Sequence, residues 1–178
     1  MKCYVRMISI DRWERTSPED DILGEAVTTD WGCKNNEWSV YACESYLKKT
    51  DEVNKIVLRM VGDNPKKTSN GIDLLYLDDS FFQSTGVKSY PDDKTKLGSL
   101  HCNLRKVNYG ALKKAIIYTI NNIKSHILSY SPVEIKELFR DIGRNFIEEF
   151  KQEYKKDKLK EIVKYFFRDS TLEAVFNI

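Results

Sequence analysis

Apolar residues recur along one side of the stretch from Asn108 to Leu128, at Leu112, Ala115, Ile116, Ile120, Ile123 and Ile127, with Thr119 on the same stripe. Steps of three and four residues place such positions on one face of an α-helix. The spacing predicts a helix over 108–128, begun by Asn108, whose side-chain oxygen can accept from the free amides of the first turn. A helix with one apolar side needs a partner surface, so this segment is expected to be the central helix of the core.

The chain before it alternates between short extended patterns and short helical ones. Lys2 to Ile10 is rich in β-branched residues and reads as a strand. Ser17-Pro18-Glu19-Asp20 is a helix-start signal, with Ile22, Leu23 and Ala26 as the buried face. Residues 28–36 read as irregular chain, with Gly32 and the Asn35-Asn36 pair as turn chemistry. Trp38, Val40 and Ala42 alternate with Ser39, Tyr41 and Cys43, which predicts a second strand. Asp51 is read as the cap of a helix from Glu52 to about Val61, ended by Gly62 and forbidden to continue by Asn64-Pro65. Lys66 to Gly71 is a polar loop. Ile72 to Leu77 is almost continuously apolar, as in a strand covered on both faces. Residues 84–98 are loop-like, and 99–107 are expected to hold a fourth short strand.

After the central helix, Ser131-Pro132-Val133-Glu134 has the form of a capping box with proline at the first helical position. Ile135, Leu138, Phe139, Ile142, Phe146 and Phe150 continue it as one stripe. Leu159, Ile162, Val163 and Phe166 mark a further helix, and Leu172, Val175 and Phe176 follow. The expected fold is α+β: a small mixed sheet of about three or four strands packed on helices, with an all-helical C-terminal part. Residues 1–178 read as one domain, mixed over 1–108 and helical over 109–178.

Composition adds limits. The chain has 178 residues, of which 41% are hydrophobic and 31% charged, as suits a folded globular protein. A net charge of +2 gives no whole-protein attraction to nucleic acid or membranes. No run is long and apolar enough for a transmembrane helix. Arg6 falls where the apolar core of a signal peptide would stand, so the cytoplasm is the expected location. The four cysteines, Cys3, Cys33, Cys43 and Cys102, form no CxxC pair and read as small buried thiols in a reducing compartment rather than disulfides or metal ligands.

The candidate chemistry is acidic. Asp78 and Asp79 follow the third strand, where sites collect in open sheets. With Asp73, Asp30 and His101 they form a group that can take a divalent metal for hydrolysis of a phosphodiester. Asp78-Asp79-Ser80 reads more readily as an N-cap for Phe81 and Phe82 than as a metal site. Cys33 with His101 is a formal nucleophilic pair, whereas Cys102 lies beside His101 on a strand and points to the other face. His126 is expected near the end of the central helix, where a positive charge is favoured. No spacing fixes a metal site, and no phosphate-binding glycine loop occurs.

Two surfaces stand out for binding. Lys156, Lys160 and Lys164 repeat every four residues and form a basic row that can follow a phosphate backbone, although acidic residues are interleaved. Tyr165, Phe166 and Phe167 cannot share one helix face, so a ring is left for solvent, another segment or a second chain. The expected function is therefore a protein–protein interaction or regulatory module without catalysis or a cofactor, a homodimer or part of a larger complex. The alternatives are a metal-dependent hydrolase or nuclease using Asp78, Asp79 and His101, and a nucleic-acid-binding protein using the lysine row.

Overall fold

The computed structural model describes residues 3–14, 22–33, 35–44, 46–92, 97, 100–167 and 174, without the side chains of 22–25 and 66–68. The proposed cap at Ser17, the acidic turn after it and the apolar positions Leu172, Val175 and Phe176 lie outside the described residues. The described chain is mixed α and β. It runs β1 (Cys3–Ile8), α1 (Ile10–Glu14), α2 (Ile22–Asp30), β2 (Trp38–Cys43), α3 (Asp51–Asp63), a 3-10 turn (Pro65–Asn70), β3 (Ile72–Leu77), α4 (Asp79–Thr85), β4 (Lys88–Pro91), β5 (His101–Arg105), α5 (Tyr109–Asn122), β6 (Ile127–Tyr130), α6 (Pro132–Phe150) and α7 (Lys156–Phe166). No helix among the described residues is long and apolar enough to cross a membrane.

The sheet has six strands in the order β4-β5-β2-β1-β3-β6, more than the three or four expected. The extra strands are short, and short strands carry little periodicity. β4 spans four residues and its burial does not alternate. β6 corrects the reading of an all-helical part after residue 108. Its Ile127 falls on the helical stripe, yet the helix stops at Asn122. There the Asn122 side chain donates to the Tyr118 carbonyl at 2.8 Å. An asparagine that bonds nearby backbone favours a turn over another helical residue.

Two compact units make up the chain, one from residues 1–49 and 73–129, the other from 50–72 and 130–178. The first contains β1, β2, β4, β5, α1, α2, α4 and α5, with nearly all of β3 and β6. One face of its sheet is apolar. Val40, Ala42, Leu75, Leu77, Cys102 and Leu104 are all buried in a cluster with Trp31, Trp38, Phe81, Ala115 and Tyr118. The rings of Trp31 and Trp38 meet edge to face at 4.8 Å, and Trp31 stacks on Phe81 at 5.6 Å. Both indole N–H groups are satisfied, Trp38 by the Trp31 carbonyl and Trp31 by the Thr119 hydroxyl, each at 2.9 Å. Burying an indole without such a partner costs on the order of 1–3 kcal/mol.

α5 is capped by Asn108, whose Oδ1 accepts from Ala111 N at 2.9 Å, as the sequence predicts. Its most buried face is Ala111, Ala115, Tyr118 and Thr119. Ile117 and Ile120 keep 48% and 40% of their surface exposed.

In the second unit, α3 packs on α6. Thr50 rather than Asp51 is the N-cap of α3, its hydroxyl accepting from Val53 N. Gly62 does not end the helix; the final turn runs through it to Asp63. The capping box of α6 forms fully, with Ser131 and Glu134 bonding reciprocally. Phe139 of α6 stacks on Phe166 of α7 at 3.7 Å.

Candidate functional site

β2, β5 and β4 lie side by side, and Ser39, Tyr41, His101, Asn103 and Tyr90 share the sheet face opposite the tryptophan cluster. Register sets the arrangement. Ser39 is directly opposite Asn103, and Tyr41 is directly opposite His101. On the other side of β5, Tyr90 is opposite Asn103. Just past the end of β4, Asp92 N donates to the His101 carbonyl at 2.7 Å. The alternation that buries Val40, Cys102 and Leu104 thus turns Ser39, Tyr41, His101 and Asn103 the other way.

A continuous hydrogen-bond chain crosses this face. The Ser39 Oγ lies 2.6 Å from His101 Nε2. The His101 Nδ1 lies 2.9 Å from Asp92 Oδ2. A neutral imidazole with its proton on Nδ1 satisfies both contacts, donating to the carboxylate and accepting from the hydroxyl. Shielding is graded along the chain. Ser39 is exposed, while the side chains of His101 and Asp92 keep only 15% and 17% of their surface. The Tyr41 ring packs on the imidazole with centroids 5.0 Å apart. Arg6 fixes the backbone under the serine. Its guanidinium donates to the Ser39 carbonyl and to the Asp30 carbonyl, each at 2.6 Å, and sits 4.8 Å above the Trp31 ring. Burial lowers the Arg6 pKa to about 10, with Asp30 and Cys33 acting the other way, so the group stays charged at neutral pH.

Chemically the arrangement holds a nucleophile, a base that can take its proton, and a carboxylate that orients the base. Asn103 adds an amide donor on the same face, opposite Ser39. Cβ atoms of directly paired residues lie about 4.5–5.5 Å apart.

The residues expected from the sequence fall in different places. His101 is in the chain just described. Asp78 is the N-cap of α4, accepting from Ser80 N at 3.0 Å, Phe81 N at 3.2 Å and Ser80 Oγ at 2.6 Å. Its other carboxylate oxygen is 3.4 Å from His126 Nε2, and His126 Nδ1 meets Ser125 Oγ at 2.9 Å. His126 thus also stands between a serine and an aspartate, but there the aspartate is committed to the helix cap. Burial works to raise the Asp78 pKa, but hydrogen bonds from Ser80, Phe81, His126 and Tyr118 outweigh it and the pKa falls below the ordinary 3.8. Asp79 is exposed in the first turn of α4. Asp73 accepts from Ile10 N at 3.3 Å and Ser129 Oγ at 2.7 Å. Asp30 is buried, holding Ser9 N at 3.0 Å and Trp13 Nε1 at 2.8 Å. These carboxylates serve separate local bonds, and among the described residues no three His, Cys, Asp or Glu side chains group in a way that could hold a metal ion.

Cys33 is exposed, and Cys102 is buried on the face away from His101. On α7, Lys156, Lys160 and Lys164 are all exposed and form the row that their spacing implies. Phe166 and Phe167 are buried, each at 8%, and both meet Phe139. Tyr165, at 37%, is the exposed ring of the run. Sequence reasoning missed Ser39, Asp92 and Asn103. The alternation of β2 and of 101–105 carried a signal for Ser39 and Asn103, but nothing local to Asp92 marks it as a partner of His101.

No family model matches this chain, and neither the search of curated proteins nor that of solved structures returned a match.

Proposed function

We propose that the protein is a serine-dependent acyl hydrolase, with Ser39 as nucleophile, His101 as general base and Asp92 as the group that orients it. One observation carries the reading: the unbroken chain from Ser39 Oγ to His101 Nε2 at 2.6 Å and from His101 Nδ1 to Asp92 Oδ2 at 2.9 Å. In the first step Ser39 Oγ bonds to the carbonyl carbon of an ester while its proton passes to His101 Nε2. The carbonyl electrons collect on oxygen, for which the Asn103 amide, directly opposite Ser39 on the same face, is a side-chain donor. Collapse expels the alcohol, which takes the proton back from His101. Water, deprotonated by the same imidazole, then releases the acid and restores Ser39. Asp92 stabilises the imidazolium in both halves without being protonated. The reading needs no metal, and it replaces the pairing of His101 with Asp78 and Asp79 as the candidate chemistry.

A fluorophosphonate reagent tests this, because it phosphonylates a serine only when a base activates it. Label is expected on the tryptic peptide 35–48 of the native protein, lost in Ser39→Ala and in His101→Ala. Native protein left unlabelled at Ser39, with no hydrolysis of p-nitrophenyl esters, sinks the proposal and leaves the chain as a cross-strand support.

A second reading is a non-catalytic interaction module pairing with a second copy of itself. It is supported by Ile117 and Ile120, large apolar side chains left on the outer side of α5. Light scattering coupled to size exclusion distinguishes the two. A dimer that Ile117→Lys with Ile120→Lys reduces to monomer, without ester hydrolysis, favours this reading. A monomer at high concentration removes it.

A further inference from the structure

Cys3 and Cys43 are directly opposite each other on the antiparallel strands β1 and β2. Their sulfur atoms are 3.0 Å apart, and the Cys3 thiol also reaches the Cys43 carbonyl at 3.1 Å. Both side chains are buried, at 4% and 2%. Facing residues of an antiparallel pair have Cα atoms about 4.5–5.5 Å apart. A disulfide needs about 4.4–6.8 Å. The backbone is therefore already placed for a bond, and the two sulfurs need close only by about 1 Å. The other thiols are arranged differently. Cys33 is exposed, and Cys102 is buried in the tryptophan-side core.

We propose that Cys3 and Cys43 are a reversible oxidation site, converted by hydroperoxide from a dithiol to a cross-strand disulfide. One thiolate attacks one peroxide oxygen, which stays on sulfur as a sulfenic acid, while the O–O bond breaks and the other oxygen leaves as water after taking a proton. The second thiol attacks that sulfur, the S–S bond forms, and hydroxide leaves with the second proton as water. Two thiols and one hydrogen peroxide give one disulfide and two waters, the two electrons passing from sulfur to peroxide. Burial decides which oxidant works. Hydrogen peroxide is little larger than water, so it suits a buried pair better than a bulky oxidant does. The bond would close a loop spanning residues 3–43, which contains α1 and α2.

The test is to treat the native full-length protein with hydrogen peroxide, block remaining thiols under denaturing conditions, and map the unreduced digest. Trypsin separates Cys3 in peptide 3–6, Cys33 in 16–34 and Cys43 in 35–48. The expected result is a cross-linked pair of peptides 3–6 and 35–48, lost on treatment with dithiothreitol. In Cys33→Ser the cross-link is expected at the same rate. Recovery of Cys3 and Cys43 as blocked thiols overturns the proposal. So does a bond of either one to Cys33 or Cys102, or a cross-link that vanishes in Cys33→Ser, since direct attack on peroxide would then not be the route.

Discussion

The hydroxyl of Tyr154 occupies the space in which a Cβ on Gly62 would stand. This is why a glycine sits within the last turn of α3 rather than beyond it. Gly62→Ala gains about 1 kcal/mol in helix propensity. It also drives a methyl group into a buried ring, which costs about 1–3 kcal/mol. A net loss of stability is expected, read as a lower urea midpoint with unchanged slope. Adding Tyr154→Phe removes the colliding atom and should restore part of the loss. A Gly62→Ala variant as stable as the parent would show that the ring moves freely.

Thr119 links α5 to the tryptophan cluster. Its hydroxyl accepts from Trp31 and donates to the Ala115 carbonyl, both at 2.9 Å. Thr119→Val keeps the shape and strands the indole N–H, so a loss of about 1–3 kcal/mol is expected. Thermal unfolding followed by tryptophan fluorescence measures it. Thr119→Ser, which keeps the hydroxyl, should fall between the parent and Thr119→Val.

Asp78 predicts a pH dependence. Its pKa is lower in the folded protein than the ordinary 3.8. The ionised form is therefore favoured by folding, and its contribution is present above about pH 4 and is lost as pH falls through the lowered folded value. Asp78→Ala should cost about 1 kcal/mol at neutral pH as a lost N-cap. Its stability should fall less steeply than the parent's below pH 4. Denaturant midpoints at pH 7 and pH 3 give both numbers, and parallel curves would contradict the assignment.

For the acyl-transfer reading, Asp92→Asn is the informative variant. It preserves size while allowing the imidazole to take the wrong tautomer. A drop in kcat of about four orders of magnitude with little change in KM is expected, by analogy with the triad aspartate of serine proteases. Asn103→Ala should lower kcat by about 10²–10³ if its amide holds the oxyanion. Steady-state kinetics on an ester substrate checks both. Circular dichroism must show each variant folded, since unfolded enzyme also lowers apparent kcat at unchanged KM; a folded variant with kcat unchanged contradicts the role.

What could be read from the sequence depended on how local the cause was. β2 and β3 were legible because their alternation or continuous burial spans six residues. Asn108 and the Ser131–Glu134 box were legible because a cap acts within one turn. Gly62 misled because its reason is Tyr154, far along the chain. Ile123 and Ile127 misled because a helical stripe can continue by chance into a turn and a strand. The serine–histidine–aspartate chain was half visible: His101 was singled out, but its partners come from β2 and from the end of β4. Pairing register sets those contacts, and no single stretch of sequence contains it.

The interleaving of the two units has a consequence for synthesis. Residues 50–72 leave the ribosome long before α6, the helix on which α3 packs. Until residue 150 has emerged, α3 on the nascent chain lacks that partner. Meanwhile the first unit lacks its β6 edge until residue 129. The order of translation therefore imposes a waiting period in which an apolar helix face is displayed before its partner exists. Slowing elongation between residues 63 and 132 should lengthen that exposure, and the yield of native protein would respond to codon usage in this interval more than to changes near either end.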